Sequence, residues 1–129
     1  GEPQYYRDFA SNVDTLGDEL RRLLADLKSD GASVGAYGAA AKGTVLLNAF
    51  GIGSDTIDFV ADRSPHKQGR YMPGVRVPIV SADELARRQP AACLLLAWNF
   101  AGEIMAQQAS YRAAGGRFIV PAPQPRFVG

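Results

Sequence analysis

Gly35-Ala36-Tyr37-Gly38-Ala39-Ala40-Ala41-Lys42-Gly43-Thr44 is the stretch on which the fold turns. It begins inside Ser33-Val34-Gly35-Ala36-Tyr37, a short apolar run with the make-up of a buried strand. Gly38 to Gly43 then reads as a turn. Thr44 to Phe50 reads as a helix, with Val45, Leu46 and Leu47 facing inward and Gly51 ending it. A strand that passes through small residues into a helix is the setting an anion-binding turn needs. Small side chains let the backbone approach a diphosphate, and the helix N-terminus offers free N–H groups and partial positive charge. Lys42 adds a full charge. The spacing is not the G-x-G-x-x-G of dinucleotide folds. It is not a P-loop either, because the lysine precedes the second glycine of Gly38…Gly43. ATP or GTP hydrolysis is therefore not expected. The competing reading is that small residues here only let strand and helix pack closely.

Outward from this turn the chain alternates. Upstream, Pro3 to about Ser29 reads as one long helix, with Phe9, Val13, Leu16, Leu20, Leu23, Leu24 and Leu27 at three-to-four spacing and Asp30-Gly31 as its stop. Downstream, Ile57 to Ala61 reads as a strand ending at Asp62, and Arg63 to Gly74 as a long polar loop. Arg76 to Val80 reads as a strand whose Pro78 argues for a sheet edge. Ser81-Ala82-Asp83-Glu84 resembles a capping box opening a helix to Arg88. Ala92 to Ala97 is a continuous apolar strand, Ala101 to Ala114 a helix, and Arg117 to Val120 a last strand. Pro121 to Gly129 is a proline-rich tail, expected to be extended on the surface. Strands alternating with helices predict an α/β fold. We expect a Rossmann-like three-layer sandwich with a mostly parallel sheet over 32–129, preceded by the long N-terminal helix within 1–31.

The chain of 129 residues, 47% hydrophobic and 21% charged, suits one domain with a core of its own. A net charge of +1 gives no field that would steer it to nucleic acid or an anionic membrane, so any anion site must be local. Cys93 is the one cysteine and sits in an apolar run, where a buried inert thiol is expected. One cysteine and one histidine do not make a structural zinc site of the usual kind. No apolar run approaches the roughly 20 residues that span a bilayer. The absence of a visible signal peptide gives a cytoplasmic setting as the expectation, and the start at Gly1 without Met suggests a domain from a larger protein.

Several residues beside the turn are candidates for binding. Asp62 lies 24 residues beyond Gly38, near the spacing at which dinucleotide folds place an acid on the ribose. A turn or cap before Ser64-Pro65 explains it equally well. The loop that follows carries Arg63, His66, Lys67 and Arg70 with no acid, and it leaves the carboxyl end of a strand, where open α/β sheets bind ligands. Such a loop beside a glycine turn would clamp a diphosphate; a solvated surface loop is the plainer alternative. His66 has no acid or nucleophile paired with it in sequence, so a binding or surface role is preferred to general-base chemistry. Asn99 would donate to a ligand oxygen, and Trp98 would wall the crevice or simply pack in the core.

Four of these segments together resemble the C-terminal domain of sugar C-methyltransferases. They are Tyr37 to Gly43 with Leu46-Leu47-Asn48; Asp62 to Gly74 with Val77-Pro78-Ile79; Ala97 to Phe100; and Gly116 to Pro121. The resemblance implies a parent enzyme with an N-terminal cysteine-rich zinc domain, a central S-adenosylmethionine domain and this domain last. Such enzymes methylate a carbon of a nucleotide-linked keto-deoxysugar, typically a dTDP-sugar. A proton is lost beside the ketone, and the resulting carbanion-like carbon attacks the methyl group. By the same resemblance the base, the S-adenosylmethionine and the zinc belong to the rest of the parent, so this domain binds no cofactor and carries no catalytic residue. It closes over the nucleotide-sugar with the central domain as its partner, and acts on neither nucleic acid nor membrane. Tyr37, Gly38, Ala39, Lys42, Gly43, Asn48, Asp62, Lys67, Arg70, Tyr71, Trp98 and Asn99 are the candidates to line the crevice. Two rivals stand beside this reading. One is an NAD(P)-binding oxidoreductase domain using Asp62. The other is a structural module whose leucine-rich first helix docks a partner.

Overall fold

The structure is a computed structural model that describes residues 2–122 and 125–128, with side chains from residue 15 onward. Its element order is α1 (Glu2–Ser29), β1 (Val34–Tyr37), α2 (Ala41–Ala49), β2 (Val60–Asp62), β3 (Ile79–Ser81) and α3 (Asp83–Arg88). Then come β4 (Ala92–Leu95), a 3-10 turn (Trp98–Phe100), α4 (Ala101–Gln107), α5 (Ala109–Ala113), β5 (Arg117–Val120) and β6 (Arg126–Val128). The strands form one sheet in the order β3-β2-β1-β4-β5-β6. All neighbours are parallel except β5 and β6, which are antiparallel. The expected α/β fold with a mostly parallel sheet is therefore present. The chain reverses its strand order between β1 and β4, which is where open α/β sheets leave a crevice.

Alternation along each strand sorts the core into two faces. Val34, Ala36, Val60, Leu94, Leu96 and Ile119 join Leu20, Leu24 and Leu27 of α1 and Leu46 and Leu47 of α2. Tyr37, Ala61, Cys93, Leu95, Phe118 and Val120 face the other way, toward Leu85 of α3, Ile104 of α4 and Tyr111 of α5. Each buried leucine or isoleucine contributes about 1.5–3 kcal/mol of burial free energy.

Several boundaries differ from the sequence reading. β2 is shorter than Ile57–Ala61 suggested, yet Phe59 and Asp58 already bond to β1, with Ala36 N–H to Phe59 O at 2.9 Å and Asp58 N–H to Val34 O at 3.0 Å. β3 does lie at the edge, and Pro78, which lacks an N–H, gives only its carbonyl to Val60 N–H at 2.8 Å. Ser81 closes β3, and its Oγ accepts Asp83 N–H at 3.3 Å past Ala82, which is already helical; the return half of the capping box is missing, because Glu84 pairs with Arg87 and Arg88 in its own helix. The single helix expected over Ala101–Ala114 is broken at Gln108 into α4 and α5. The tail is more than a surface strap, since Arg126–Val128 pairs with Phe118–Val120 as β6.

Candidate functional site

The β1–α2 turn lies at the carboxyl ends of β1, β2 and β4. Gly38 has φ +102°, and a Cβ there would lie 2.8 Å from Ala97 Cβ, so both the turn and its contact with the end of β4 require glycine. Gly43 does different work from the turn role the sequence suggested. A Cβ on it would stand 2.6 Å from Leu96 Cβ, so it seats α2 on β4. The packing explanation therefore accounts for Gly43, while Gly38 shapes the turn.

α2 starts at Ala41, three residues earlier than Thr44, and this moves Lys42 and Gly43 into its first turn. Its cap position is Ala40, which makes no side-chain capping bond, and the first turn holds no acid. The first backbone bond back along the helix is Thr44 N–H to Ala40 O at 3.1 Å. The N–H groups of Ala41, Lys42 and Gly43 are thus the ones a helix start leaves without an intrahelical acceptor. An alanine cap forgoes about 0.5–2 kcal/mol that Ser, Thr, Asp or Asn would supply.

The loop from Arg63 to Pro78 is braced and not slack. Met72 N–H donates to Val77 O at 2.8 Å, Ile79 N–H to Arg70 O at 2.7 Å and Gly69 N–H to Ile79 O at 2.9 Å. Met72 and Val77 are buried beneath it. The brace presents His66, Lys67, Arg70 and the 64%-exposed Tyr71 outward. His66, Lys67, Arg70 and Tyr71 line a cavity of about 500 Å³ together with Ala39, Ala41 and Thr44 from the glycine turn and the start of α2.

Asp62 and Asn48 serve this geometry from below. The Asp62 carboxylate accepts Ala39 N–H at 2.7 Å on one oxygen and Ser64 N–H at 2.7 Å on the other. The cap before Ser64-Pro65 is thus present, together with a link to the glycine turn. Asn48 Nδ2 donates to Thr44 O at 2.8 Å and to Pro73 O at 3.0 Å.

On the far side of the turn, Tyr37, Asp62, Arg63, Phe100 and Gln107 line a second cavity of about 230 Å³. Ala40 borders both cavities. The Tyr37 hydroxyl is buried without a hydrogen-bond partner. Burial pushes the phenol above its ordinary value, with the Gln108 side chain and the Arg63 charge acting the other way. Trp98 packs partly buried against both faces of the core and carries Lys42 Nζ at 5.1 Å from its ring centroid, and neither of the two lines either cavity. Asn99 is exposed in the 3-10 turn and lines neither cavity. The geometry thus gathers Ala39, Lys67, Arg70 and Tyr71 on one side of the turn and Tyr37, Gly38 and Asp62 on the other. Sequence reasoning did not single out Ala40, Phe100 or Gln107. The unbonded cap position was the one available signal for Ala40.

Among the described residues no three His, Cys, Asp or Glu side chains converge on a common point. Cys93 is buried, and desolvation holds its thiol well above the usual range, so it offers no thiolate to a metal. No described helix is long and apolar enough to cross a membrane.

An uncapped helix start and a basic loop thus meet at the switch point of a mostly parallel sheet, where open α/β sheets leave a crevice. The chain belongs to the family of C-methyltransferase C-terminal domains, which it matches over residues 1–123. It is 42% identical over 123 residues to the C-methyltransferase NovU of Streptomyces niveus, an alignment covering 95% of this chain and 29% of that protein. The chain therefore spans less than a third of the length of the relative it matches.

Proposed function

We propose that this domain anchors the diphosphate of a nucleotide-linked keto-deoxysugar, most simply a dTDP-sugar, for a C-methyltransferase whose chemistry lies elsewhere in the parent protein. The observation that carries the reading is the open start of α2. Its first turn leaves three N–H groups without intrahelical acceptors and carries the positive end of the helix dipole, and its first residue, Ala41, lines a cavity that Lys67 and Arg70 also line. A diphosphate bound there would meet donors on both sides, and guanidinium–phosphate pairs add directional bonds. Ala40 borders both cavities, so a ligand with its diphosphate over the turn would place nucleoside and sugar on opposite sides of it.

Within this reading the domain supplies binding and water exclusion. S-adenosylmethionine would supply the methyl group from the central domain, and proton removal beside the ketone would be done there too. By the same family resemblance a zinc site would also belong to the rest of the parent.

The test is an amide NMR titration of this chain with dTDP, with S-adenosylmethionine and NAD as controls. Shifts at Ala39–Thr44 and Arg63–Pro73 with dTDP alone are expected. The doubly substituted Lys67→Ala, Arg70→Ala protein should lose roughly 10- to 100-fold in affinity, the cost of two charge-assisted contacts. Unchanged affinity in that variant would remove the loop from the site.

A further inference from the structure

We propose that Asp62 and Asn48, offered as ligand contacts by spacing and by family resemblance respectively, are positioning residues. They fasten the two ends of the basic loop to the β1–α2 unit, so that Lys67 and Arg70 face the open helix start before any ligand arrives. The proposal rests on the anion-anchoring role given above and assigns the residues that preset it.

The bonds divide by position. At the loop's beginning, one carboxylate oxygen of Asp62 accepts Ser64 N–H and the other accepts Ala39 N–H, both at 2.7 Å. One side chain thus joins the first residues of the loop to the glycine turn. The main chain of Asp62 adds a second tie there, accepting Gln68 Nε2 at 2.9 Å. At the loop's other end, the Asn48 amide donates to Pro73 O at 3.0 Å and to Thr44 O, on its own helix, at 2.8 Å. Gly74 follows with φ +81°, and a Cβ on it would fall 2.1 Å from Asn48 Oδ1, so the tie fits only because that position carries no side chain. His66, Lys67, Arg70 and Tyr71 all lie between the two ties.

The chemistry of the pair favours positioning over contact. Asp62 is an acid at the rim of a site proposed to hold an anion, where its charge opposes the ligand. Its value lies in accepting two N–H groups at once, which neither asparagine nor serine does with the same geometry. Both Asn48 amide bonds are spent on backbone carbonyls. A loop held in its binding arrangement does not charge its ordering entropy to the association step, so losing a tie weakens binding without removing any contact to the ligand.

The experiment uses this chain and two probes, inorganic pyrophosphate and dTDP, with Asp62→Asn and Asn48→Ala. Amide hydrogen exchange is recorded without ligand. Each variant should bind both probes about tenfold more weakly, by the same factor for each. Exchange at Ser64 and through Lys67–Met72 should speed up, while Leu94 and Ile119 in the sheet stay protected. Weaker dTDP binding with pyrophosphate unchanged would make Asp62 a nucleoside contact and overturn the proposal. Unfolding midpoints that fall while both affinities hold would reduce the pair to fold stability and overturn it as well. A wild-type protein that binds neither probe would overturn the anion-anchoring role and this proposal together, whereas normal wild-type binding with unaffected variants overturns this proposal alone.

Discussion

α2 and α3 both begin just beyond the carboxyl end of a parallel strand, yet their first turns are built on opposite plans. α3 opens with Asp83 and Glu84 and closes with Arg87 and Arg88, so both ends of its dipole are matched by its own side chains. Ser81 Oγ accepts Asp83 N–H at 3.3 Å. An alanine precedes both helices, but α2 has no acid in its first turn and no base in its last. One helix satisfies itself, and the other leaves its positive end to be met from outside. The sheet faces beneath them differ in the same sense. The α1–α2 face is filled by aliphatic side chains and Met72. The α3–α5 face holds the buried Cys93, Tyr37 and Tyr111, with Tyr111 edge-on to Phe118 at 5.2 Å between centroids. The contrast teaches that α2 stands on an inert foundation, while the titratable groups of the core lie on the opposite face, where Tyr37 also lines the smaller cavity.

Raising the pH tests that division of chemistry and carries the largest expected effect. Burial holds Cys93 and Tyr111 well above their ordinary values of 9.0 and 10.0, and Tyr37 moves in the same direction. Below those values both states keep the proton and the stability is fully present. Above them the unfolded chain releases protons that the folded chain retains, so stability falls at about 1.4 kcal/mol per pH unit for each group. Between pH 9 and 11 the loss from Cys93 and Tyr111 should total roughly 4 kcal/mol, read by urea unfolding under reducing conditions. In Tyr111→Phe the slope above pH 10 should fall by one proton. That variant should also lose about 1 kcal/mol at neutral pH, because Tyr111 Oη donates to Pro90 O at 2.8 Å. An unchanged slope would move the titration to other groups.

Gly43→Val strikes the other face. Its Cβ would press on Leu96 Cβ, which is fixed to the β4 backbone, so relief requires α2 to lift from the sheet. Overpacking of this kind costs about 1–3 kcal/mol, and a β-branched side chain belongs near the upper end. A denaturation midpoint equal to wild type would mean that α2 does not sit this close to β4.

The sheet was legible because the residues of β1, β4 and β5 form apolar runs too continuous for a half-exposed strand. The edge position of β3 was legible from Pro78. The start of α2 was not, because start signals are capping side chains and Ala40-Ala41-Lys42-Gly43 has none. The feature that hid the helix start is the one that leaves its N–H groups free. The brace of the basic loop was hidden for another reason. Met72 stands between Tyr71 and Pro73-Gly74 with no apolar period around it, and only the fold shows that it is buried. The break at Gln108 and the pairing of β6 follow from tertiary packing that no local period records. Asp62 was singled out by residue type and spacing, and Asn48 by the family resemblance. Their partners Ser64 and Thr44 are local, two and four residues away, whereas Ala39 and Pro73 depend on which segments meet across the crevice.

Exchanging the two helix starts sharpens the comparison further, with smaller effects. Ala40→Asp gives α2 the cap it lacks and should raise stability by about 1 kcal/mol. The same carboxylate occupies the free N–H groups and repels an anion, so dTDP affinity should fall roughly tenfold. Stability and affinity both rising would show that no phosphate sits at this helix start. Asp83→Asn is the converse and the smallest effect. It removes charge from the start of α3 and should cost about 0.5 kcal/mol, less at high salt, because only a dipole contact at the surface is lost. It should leave dTDP affinity unchanged, since Asp83 borders neither cavity beside the glycine turn. A measurable affinity loss in Asp83→Asn would mean that the ligand extends across Arg63 toward α3, along the cavity of about 420 Å³ that Arg63, Asp83 and Gln107 line. The open and the self-satisfied helix start would then belong to one extended site, and the contrast between them would mark its two ends.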